Sequence, residues 1–243
     1  MNTTSLPSLF IASLPRSLST QVFHICRNAL SLEAPAWTTD GEILNNDRHV
    51  LSGQAPQGES VKYSLPGCAR SPLGGFDAIQ AYLSDAVRAR GYCYKDVVQP
   101  FAVRRWLEHN QADMPDRRLA VLCILPDIPH VALRMMSKKW WYPGQVAPPH
   151  LPPVERLLHG LHQAKAVLEA LPGEKIRFCD IINSEAPLAD ALRRLYPNGA
   201  MPQLNYIGED FERKRAHVMM SRTSRGYAML AEAYDALCRT THQ

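Results

Sequence analysis

The apolar residues of this chain fall into short unbroken runs that alternate with longer stretches of helical spacing. The first run, Leu9–Ala12, is followed by Val22, Ile25, Cys26 and Ala29, which recur three and four positions apart. An unbroken apolar run is typical of a strand that is covered on both faces, and the wider spacing is typical of an amphipathic helix. The pattern therefore predicts that the chain opens with a β-strand and an α-helix.

The same alternation continues along the chain. Further strands are predicted at residues 92–98, 119–125 and 175–182. Helices are predicted at residues 76–90, 101–110, 131–141, 154–171, 188–196 and 226–239. Strands that alternate with helices indicate a three-layer α/β fold with a mostly parallel central sheet. A chain of 243 residues is long enough for one such domain, residues 1–243.

Composition narrows the function classes. The net charge of +4, without a long basic run, suits a pocket for an anionic ligand and disfavours a nucleic-acid groove. The six cysteines are scattered and form no CxxC pair, which disfavours a zinc site and fits a reducing cytosol. The first apolar run has no basic leader, and no apolar stretch approaches membrane-spanning length. We therefore expect a cytoplasmic protein without a membrane partner.

The segment LPRSLST, residues 14–20, joins the first predicted strand to the first helix. A helix N-terminus offers unpaired N–H groups and a positive dipole end, so it attracts phosphate or sulfate. Ser17, Ser19 and Thr20 add hydroxyls, and Arg16 adds a fork of N–H donors. The segment lacks the glycines and the lysine of the triphosphate-binding GxxxxGK[ST] pattern. The alternative is an ordinary turn with a Ser/Thr helix cap.

LPRSLST resembles the 5′-phosphosulfate loop of sulfotransferases that use 3′-phosphoadenosine 5′-phosphosulfate (PAPS). In that family a strand runs into a PRSGST-like loop, and Arg16, Ser17, Ser19 and Thr20 fall on its positions. Leu18 stands where glycine is commonest, and its N–H can serve provided that the turn does not require positive φ. The resemblance implies a P-loop-like fold and a PAPS site at residues 16–20. It also implies that no metal is needed, because fixed donors carry the charge.

Two further residues take catalytic roles by the same resemblance. Glu42 lies in an acidic turn after the first helix, where some branches of the family place the base that deprotonates the acceptor; Asp40 and His49 are alternatives. Lys95 lies in the segment 94–96 towards the end of the strand predicted at residues 92–98, where a lysine can stabilise charge on the bridging oxygen as sulfate leaves. Turn chemistry at Glu42 and a surface salt bridge at Lys95 are the non-catalytic readings.

The 3′-phosphate ligands map less cleanly. Residues 119–137 resemble the family's strand–proline–helix motif, but its arginine is missing; Arg134 falls near the serine position, with His130, Ser137 and Lys138 as other candidates.

The most basic window, residues 211–226, resembles the basic C-terminal loop of the family, in which Arg213, Lys214 and Arg225 are the candidates for this phosphate. The other reading of that window is a solvated charged face.

The resemblance predicts transfer of a sulfuryl group from PAPS to a hydroxyl or amine of a small molecule. Loop-rich segments at residues 34–75, with a short strand at 61–65, and at residues 140–153 are expected to shape the acceptor side. The prolines of residues 143–153 exclude a regular helix or central strand there. Two alternatives remain open: a P-loop-like kinase or nucleotide hydrolase, and a non-catalytic nucleotide-binding protein with a degenerate site. The sequence gives neither the acceptor nor the oligomeric state.

Overall fold

A parallel β-sheet organises the molecule. The computed structural model describes residues 6–35, 90–97, 103–104, 106–108, 119–198, 204 and 208–241. Within them the strands are β1 (Leu9–Ala12), β2 (Cys93–Asp96), β3 (Ala120–Leu125) and β4 (Glu174–Arg177). They lie side by side in the order β2-β1-β3-β4, and every neighbouring pair is parallel. The predicted strand at residues 61–65, most of the helix at 76–90 and half of that at 101–110 lie outside the described residues.

Helices connect and cover these strands. They are α1 (Ser19–Ala29), α2 (Ile128–Ser137), α3 (Pro153–Ala170), α4 (Phe178–Asn183), α5 (Ala186–Leu195), α6 (Glu209–Arg222) and α7 (Arg225–Thr241), with a 3₁₀ helix at Tyr142–Val146.

The sheet is buried on both faces, as the apolar run of β1 predicts. Phe10 and Ala12 belong to a core cluster that includes side chains of α2, α3 and α7. Leu9 and Ile11 belong to a second cluster with side chains of α1, α4, α5 and α6. All four residues of β1 are at most 2% exposed. The prediction of a three-layer α/β fold is therefore confirmed.

Several predicted elements differ from the structure, three of them between residues 128 and 183. The helix predicted to begin at residue 131 begins at Ile128, because the carboxylate of Asp127 accepts the backbone N–H of His130 at 3.1 Å and so caps it. The strand predicted at 175–182 ends at Arg177, and residues from Phe178 form α4. The proline-rich connector contains a short 3₁₀ helix at its start. The 3₁₀ turn tolerates Pro143 in its first positions, where no helical N–H bond is required.

The topology places two connections at one edge of the sheet. β1 and β3 are parallel neighbours, so the loop after β1 and the turn that leads into α2 leave from the same end. Ligands of parallel sheets bind outside the carboxyl ends of the strands. The loop at residues 14–18 lies at that edge.

Candidate functional site

The loop after β1 has an unusual backbone. Arg16 has φ 67° and Leu18 has φ 61°, both in the left-handed region. Leu18 occupies the N-cap position of α1 and its side chain caps nothing, so the first N–H groups of the helix are not taken by a cap. The condition placed on Leu18, that the turn not require positive φ, is not met. Leucine adopts the conformation that favours glycine, at a cost of roughly 1–3 kcal/mol.

A cavity of about 700 Å³ lies against this loop and the start of α1. α2 and α6 form its other described walls. The charged and imidazole side chains that line it are Arg16, His130, Arg134, Asp210, Arg213, Lys214 and His217. Among these described residues the arginines and the lysine outnumber the one carboxylate. The cavity is therefore electropositive and suits an anionic ligand.

Most of the candidate nucleotide ligands meet at this cavity. From the loop, Arg16, Leu18, Ser19 and Thr20 line it, and α2 contributes Arg134. From the basic window, Arg213 and Lys214 line it. That window is a helix, α6, rather than a loop.

Other candidates lie elsewhere. Arg225 is the first residue of α7, is exposed and does not line the cavity. Ser137 and Lys138 are exposed at the end of α2 and do not line it either. Ser17 is fully buried, and its Oγ has no hydrogen-bond partner among the described residues. Glu42, with its alternatives, lies outside the described residues, so the assignment of the base stays a prediction.

Lys95 approaches the loop from inside the sheet. Its side chain is 1% exposed, and β2 places it in register with Ile11 of β1. The Nζ donates a hydrogen bond to Oγ1 of Thr20 at 3.1 Å. The alternative of a surface salt bridge is therefore wrong. Lys95 does not line the cavity; it contacts a residue, Thr20, that does.

A hydrogen bond across the cavity joins α2 to α6. The Nη1 of Arg134 lies 2.8 Å from Nε2 of His217. Because a guanidinium only donates, Nε2 of His217 is the acceptor and its proton sits on Nδ1. One helical turn away from His217, Arg213 forms an ion pair with Asp210. The pKa of Lys214 is lowered by the partial burial of its side chain and by the positive charge of Arg213. The wall made by α6 is therefore crowded with positive charge.

His130 is the buried histidine of the cavity wall. Its Nδ1 lies 3.0 Å from Oγ of Ser221, and that hydroxyl donates to the carbonyl oxygen of Val218 at 2.9 Å. The hydroxyl proton is thus used, so Nδ1 carries the imidazole proton and Nε2 has the free lone pair. Burial lowers the pKa of His130 to about 4, against the opposing effect of Asp127. His130 is therefore neutral near pH 7.

The sequence analysis did not predict a set of hydrogen bonds at Asp127 that connects α2, α6 and α7. Arg222 donates from Nε and Nη2 to Oδ2 of Asp127, at 3.0 and 2.6 Å. The hydroxyl of Tyr227 donates to the same oxygen at 3.1 Å. Because Asp127 also caps α2, this carboxylate ties α2 to α6 and α7. No local pattern signals contacts that span about a hundred residues of sequence.

His217 was also missed, although a signal for it exists. Asp210, Arg213, Lys214 and His217 follow one another at spacings of three, one and three. On a helix this spacing places all four on one face. The helical period of the basic window thus predicts His217 beside the two basic candidates.

Neither a membrane helix nor a metal cluster is found in the described part of the chain. No helix there is long and apolar enough to cross a bilayer. No three His, Cys, Asp or Glu side chains of the same residues come together as metal ligands. His162, which shares a helix face with His159, places Nδ1 3.0 Å from the hydroxyl of Tyr234 and so packs against α7.

Comparisons with known proteins give likenesses among solved structures. No protein-family model and no curated protein sequence matches the chain. The chain is similar to a sulfotransferase domain from the curacin biosynthetic pathway, with 18% identity, 86% of this chain and 80% of that chain covered, and a TM-score of 0.48. It is also similar to a sulfotransferase from Alicyclobacillus acidocaldarius, with 12% identity, 96% of both chains covered, and a TM-score of 0.42. Both are similarities of the backbone fold and not of the amino-acid sequence.

Proposed function

We propose that this protein is a sulfotransferase that moves a sulfuryl group from PAPS to a hydroxyl or amine of a small molecule, in the cytoplasm. One observation carries the proposal: Arg16, Leu18 and the uncapped start of α1 line a cavity to which α2 and α6 contribute basic side chains. A loop that turns through left-handed residues into a helix N-terminus presents backbone N–H groups to an anion. The segment in this conformation is LPRSLST, whose likeness to a phosphosulfate loop was noted from the sequence.

The cavity suits a nucleotide that is anionic at both ends. Arg16, Ser19 and Thr20 would hold the phosphosulfate against the start of α1. Arg134 and Lys214, on the other described walls, would hold the 3′-phosphate, together with Arg213. The volume of about 700 Å³ lies within the range of small-molecule and cofactor sites. The buried hydroxyl of Ser17, which has no hydrogen-bond partner among the described residues, adds a polar group to the loop.

The proposed reaction is an in-line displacement at sulfur. The acceptor oxygen or nitrogen bonds to sulfur, the bond between sulfur and the bridging oxygen breaks, and that oxygen leaves with the phosphate. Donors that are already fixed around the phosphate stabilise its growing charge, which is where electrostatic catalysis acts. Arg16 and the N–H groups at the start of α1 take this role, and Lys95 supports them through Thr20. Glu42 is the proposed base for the acceptor's proton.

A change in melting temperature on addition of a nucleotide tests which class of nucleotide the protein binds. Adenosine 3′,5′-bisphosphate, the product of the donor, is expected to raise the melting temperature, because a ligand that binds only the folded state stabilises it. Mg-ATP is expected to leave it unchanged. The reverse result would favour a kinase or hydrolase.

Transfer itself is tested with PAPS that carries labelled sulfate and a small-molecule extract. The protein is expected to label an acceptor, and Arg16→Ala is expected to abolish labelling with an unchanged melting temperature. Full activity of Arg16→Ala would overturn the loop assignment. Binding of the bisphosphate with no labelled product from any extract would indicate a non-catalytic nucleotide-binding protein instead.

A further inference from the structure

Arg16 of the loop lies over an aromatic ring from a distant part of the chain. The guanidinium carbon is 4.8 Å from the centroid of the Trp140 ring, in the range of a cation–π contact. We propose that Trp140 is a positioning residue that holds the Arg16 guanidinium in the orientation needed to bind the sulfonated end of the donor. This inference rests on the proposed function, and it assigns a role to the first residue of the segment 140–153, which the sequence analysis expects to shape the acceptor side.

Stacking holds a guanidinium without using its donors. An aromatic ring attracts the guanidinium through its flat face, and the N–H groups point outward in the plane. The other arginines of the cavity are engaged through those groups, Arg134 with His217 and Arg213 with Asp210. Within the described part of the chain, no hydrogen bond or ion pair engages Arg16. Trp140 therefore fixes Arg16 and leaves its donors available to an anion.

The turn at the end of α2 fixes Trp140 in turn. The backbone N–H of Trp140 donates to the carbonyl of Met135, and that of Lys139 donates to the carbonyl of Met136, both at 2.9 Å. Lys139 has φ 57°. These two hydrogen bonds, together with the left-handed conformation of Lys139, define a Schellman motif. The motif sets the direction of the chain as it leaves the helix. The ring also packs against the core cluster that α2 and α3 form on the sheet.

The exposure of Arg16 shows why such a partner matters. Arg16 is exposed, so few neighbours restrict its long side chain. An arginine with no partner loses much rotamer freedom when it binds a ligand. A contact that orders the side chain in advance removes part of that cost. Loss of the ring is expected to weaken binding of the donor product about fivefold, the equivalent of a cation–π contact at a partly exposed site.

The neighbouring tryptophan provides a matched control. Trp141 follows directly, is 38% exposed and has no ring contact with Arg16. We expect Trp140→Leu to raise the dissociation constant for adenosine 3′,5′-bisphosphate about fivefold by calorimetry. Trp141→Leu is expected to leave it unchanged, and Trp140→Phe to give a smaller loss because phenylalanine keeps an aromatic face. Melting temperatures without ligand check that each variant folds.

A double-mutant cycle separates positioning from packing. In an Arg16→Ala background, Trp140→Leu is expected to cause no further loss of affinity, because the ring acts through the guanidinium. A similar loss in both backgrounds, or an equal loss in Trp141→Leu, would overturn the proposal.

A second measurement does not depend on the proposed function. In NMR spectra of the protein with labelled arginine side chains, the Arg16 signals are expected to lose their ring-current shift in Trp140→Leu and keep it in Trp141→Leu. If the bisphosphate fails to bind the unmodified protein, the proposed function fails, while this spectrum still decides whether Trp140 holds Arg16. An Arg16 signal that is the same in both variants would refute the contact.

Discussion

The ammonium of Lys95 lies 3.1 Å from the hydroxyl oxygen of Thr20, so a fully buried strand lysine contacts the first turn of the helix that follows the candidate phosphosulfate loop. A buried ammonium is costly unless hydrogen-bonded groups surround it. Its placement here adds positive charge directly behind the cavity wall. Lys95 thus contacts, from the sheet side, a residue that lines the cavity.

Removal of this ammonium is expected to weaken the anion site. Lys95→Met keeps the length of the side chain, and we expect it to weaken bisphosphate binding about tenfold, the usual scale of a hydrogen bond to a charged group. Thr20→Val is expected to give a comparable loss, and the double variant little more than either, because both act through one contact. Calorimetric titration measures all three.

A lysine at the far side of the sheet serves as the control. Lys175 of β4 donates to the carbonyls of Leu171 and Gly173, at the end of α3. Lys175→Met is expected to change stability and leave bisphosphate affinity as it was. Losses that simply add in the Lys95 and Thr20 double variant would show that the two residues act independently.

The position of a basic residue relative to the cavity, rather than its charge alone, is expected to decide how much it contributes to bisphosphate binding. Lys214 lines the cavity, whereas Arg225 begins the next helix outside it. We expect Lys214→Ala to weaken bisphosphate binding about twofold to fivefold, as for a partly exposed charge contact. Arg225→Ala is expected to have no effect on the dissociation constant.

Salt gives a second measurement for the same pair. The affinity of the unmodified protein is expected to fall with ionic strength, because the contacts to phosphate are partly screened. Lys214→Ala is expected to reduce the slope, and Arg225→Ala to keep it. Equal slopes in the two variants would place the phosphate away from α6.

His130 makes stability depend on pH. Its folded-state pKa is lowered to about 4, mainly by burial, while an unfolded histidine titrates near 6.5. Between these values the unfolded chain binds more protons than the folded one, so stability falls as pH falls. The full loss is about 3 kcal/mol, reached below pH 4.

Urea unfolding at pH 7 and pH 4.5 checks this sign. The difference in unfolding free energy between the two pH values is expected to be smaller in His130→Asn than in the unmodified protein. Asparagine keeps an N–H donor for Ser221 and has no titrating group. An identical pH dependence in both proteins would show that the pKa of His130 is the same in the folded and the unfolded chain.

The sequence correctly predicted elements in which every position is apolar and every position is buried. Leu9–Ala12 is apolar at every position, and the structure buries every position. The loop that follows was located correctly because a strand, a hydroxyl-rich turn and a helix are consecutive in sequence. The strand at Lys95 was also found, but its burial was not, since that depends on neighbours brought together by the sheet.

Contacts between distant elements account for what the sequence did not predict. Arg225 was grouped with Arg213 by proximity in sequence, but a helix break after Arg222 separates them. The start of α4 was predicted as strand because Phe178, Ile181 and Ile182 are apolar; their spacing fits a helix equally well. The hydrogen bond from Arg222 to Asp127 could not be predicted from the sequence around either residue.

Lys139 provides a prediction about stability alone. It is exposed and has φ 57°, a conformation that costs an ordinary residue roughly 1–2 kcal/mol, so Lys139→Gly is expected to raise the unfolding free energy by about 1 kcal/mol. Lys138, which is also exposed, has φ −102°, and Lys138→Gly is expected to lower the unfolding free energy by roughly 0.5–1 kcal/mol. Urea unfolding of the two variants measures both. Because glycine retains the turn that directs Trp140, bisphosphate affinity is expected to stay constant in Lys139→Gly. A loss of stability in that variant would show that the lysine side chain contributes more than its backbone conformation costs.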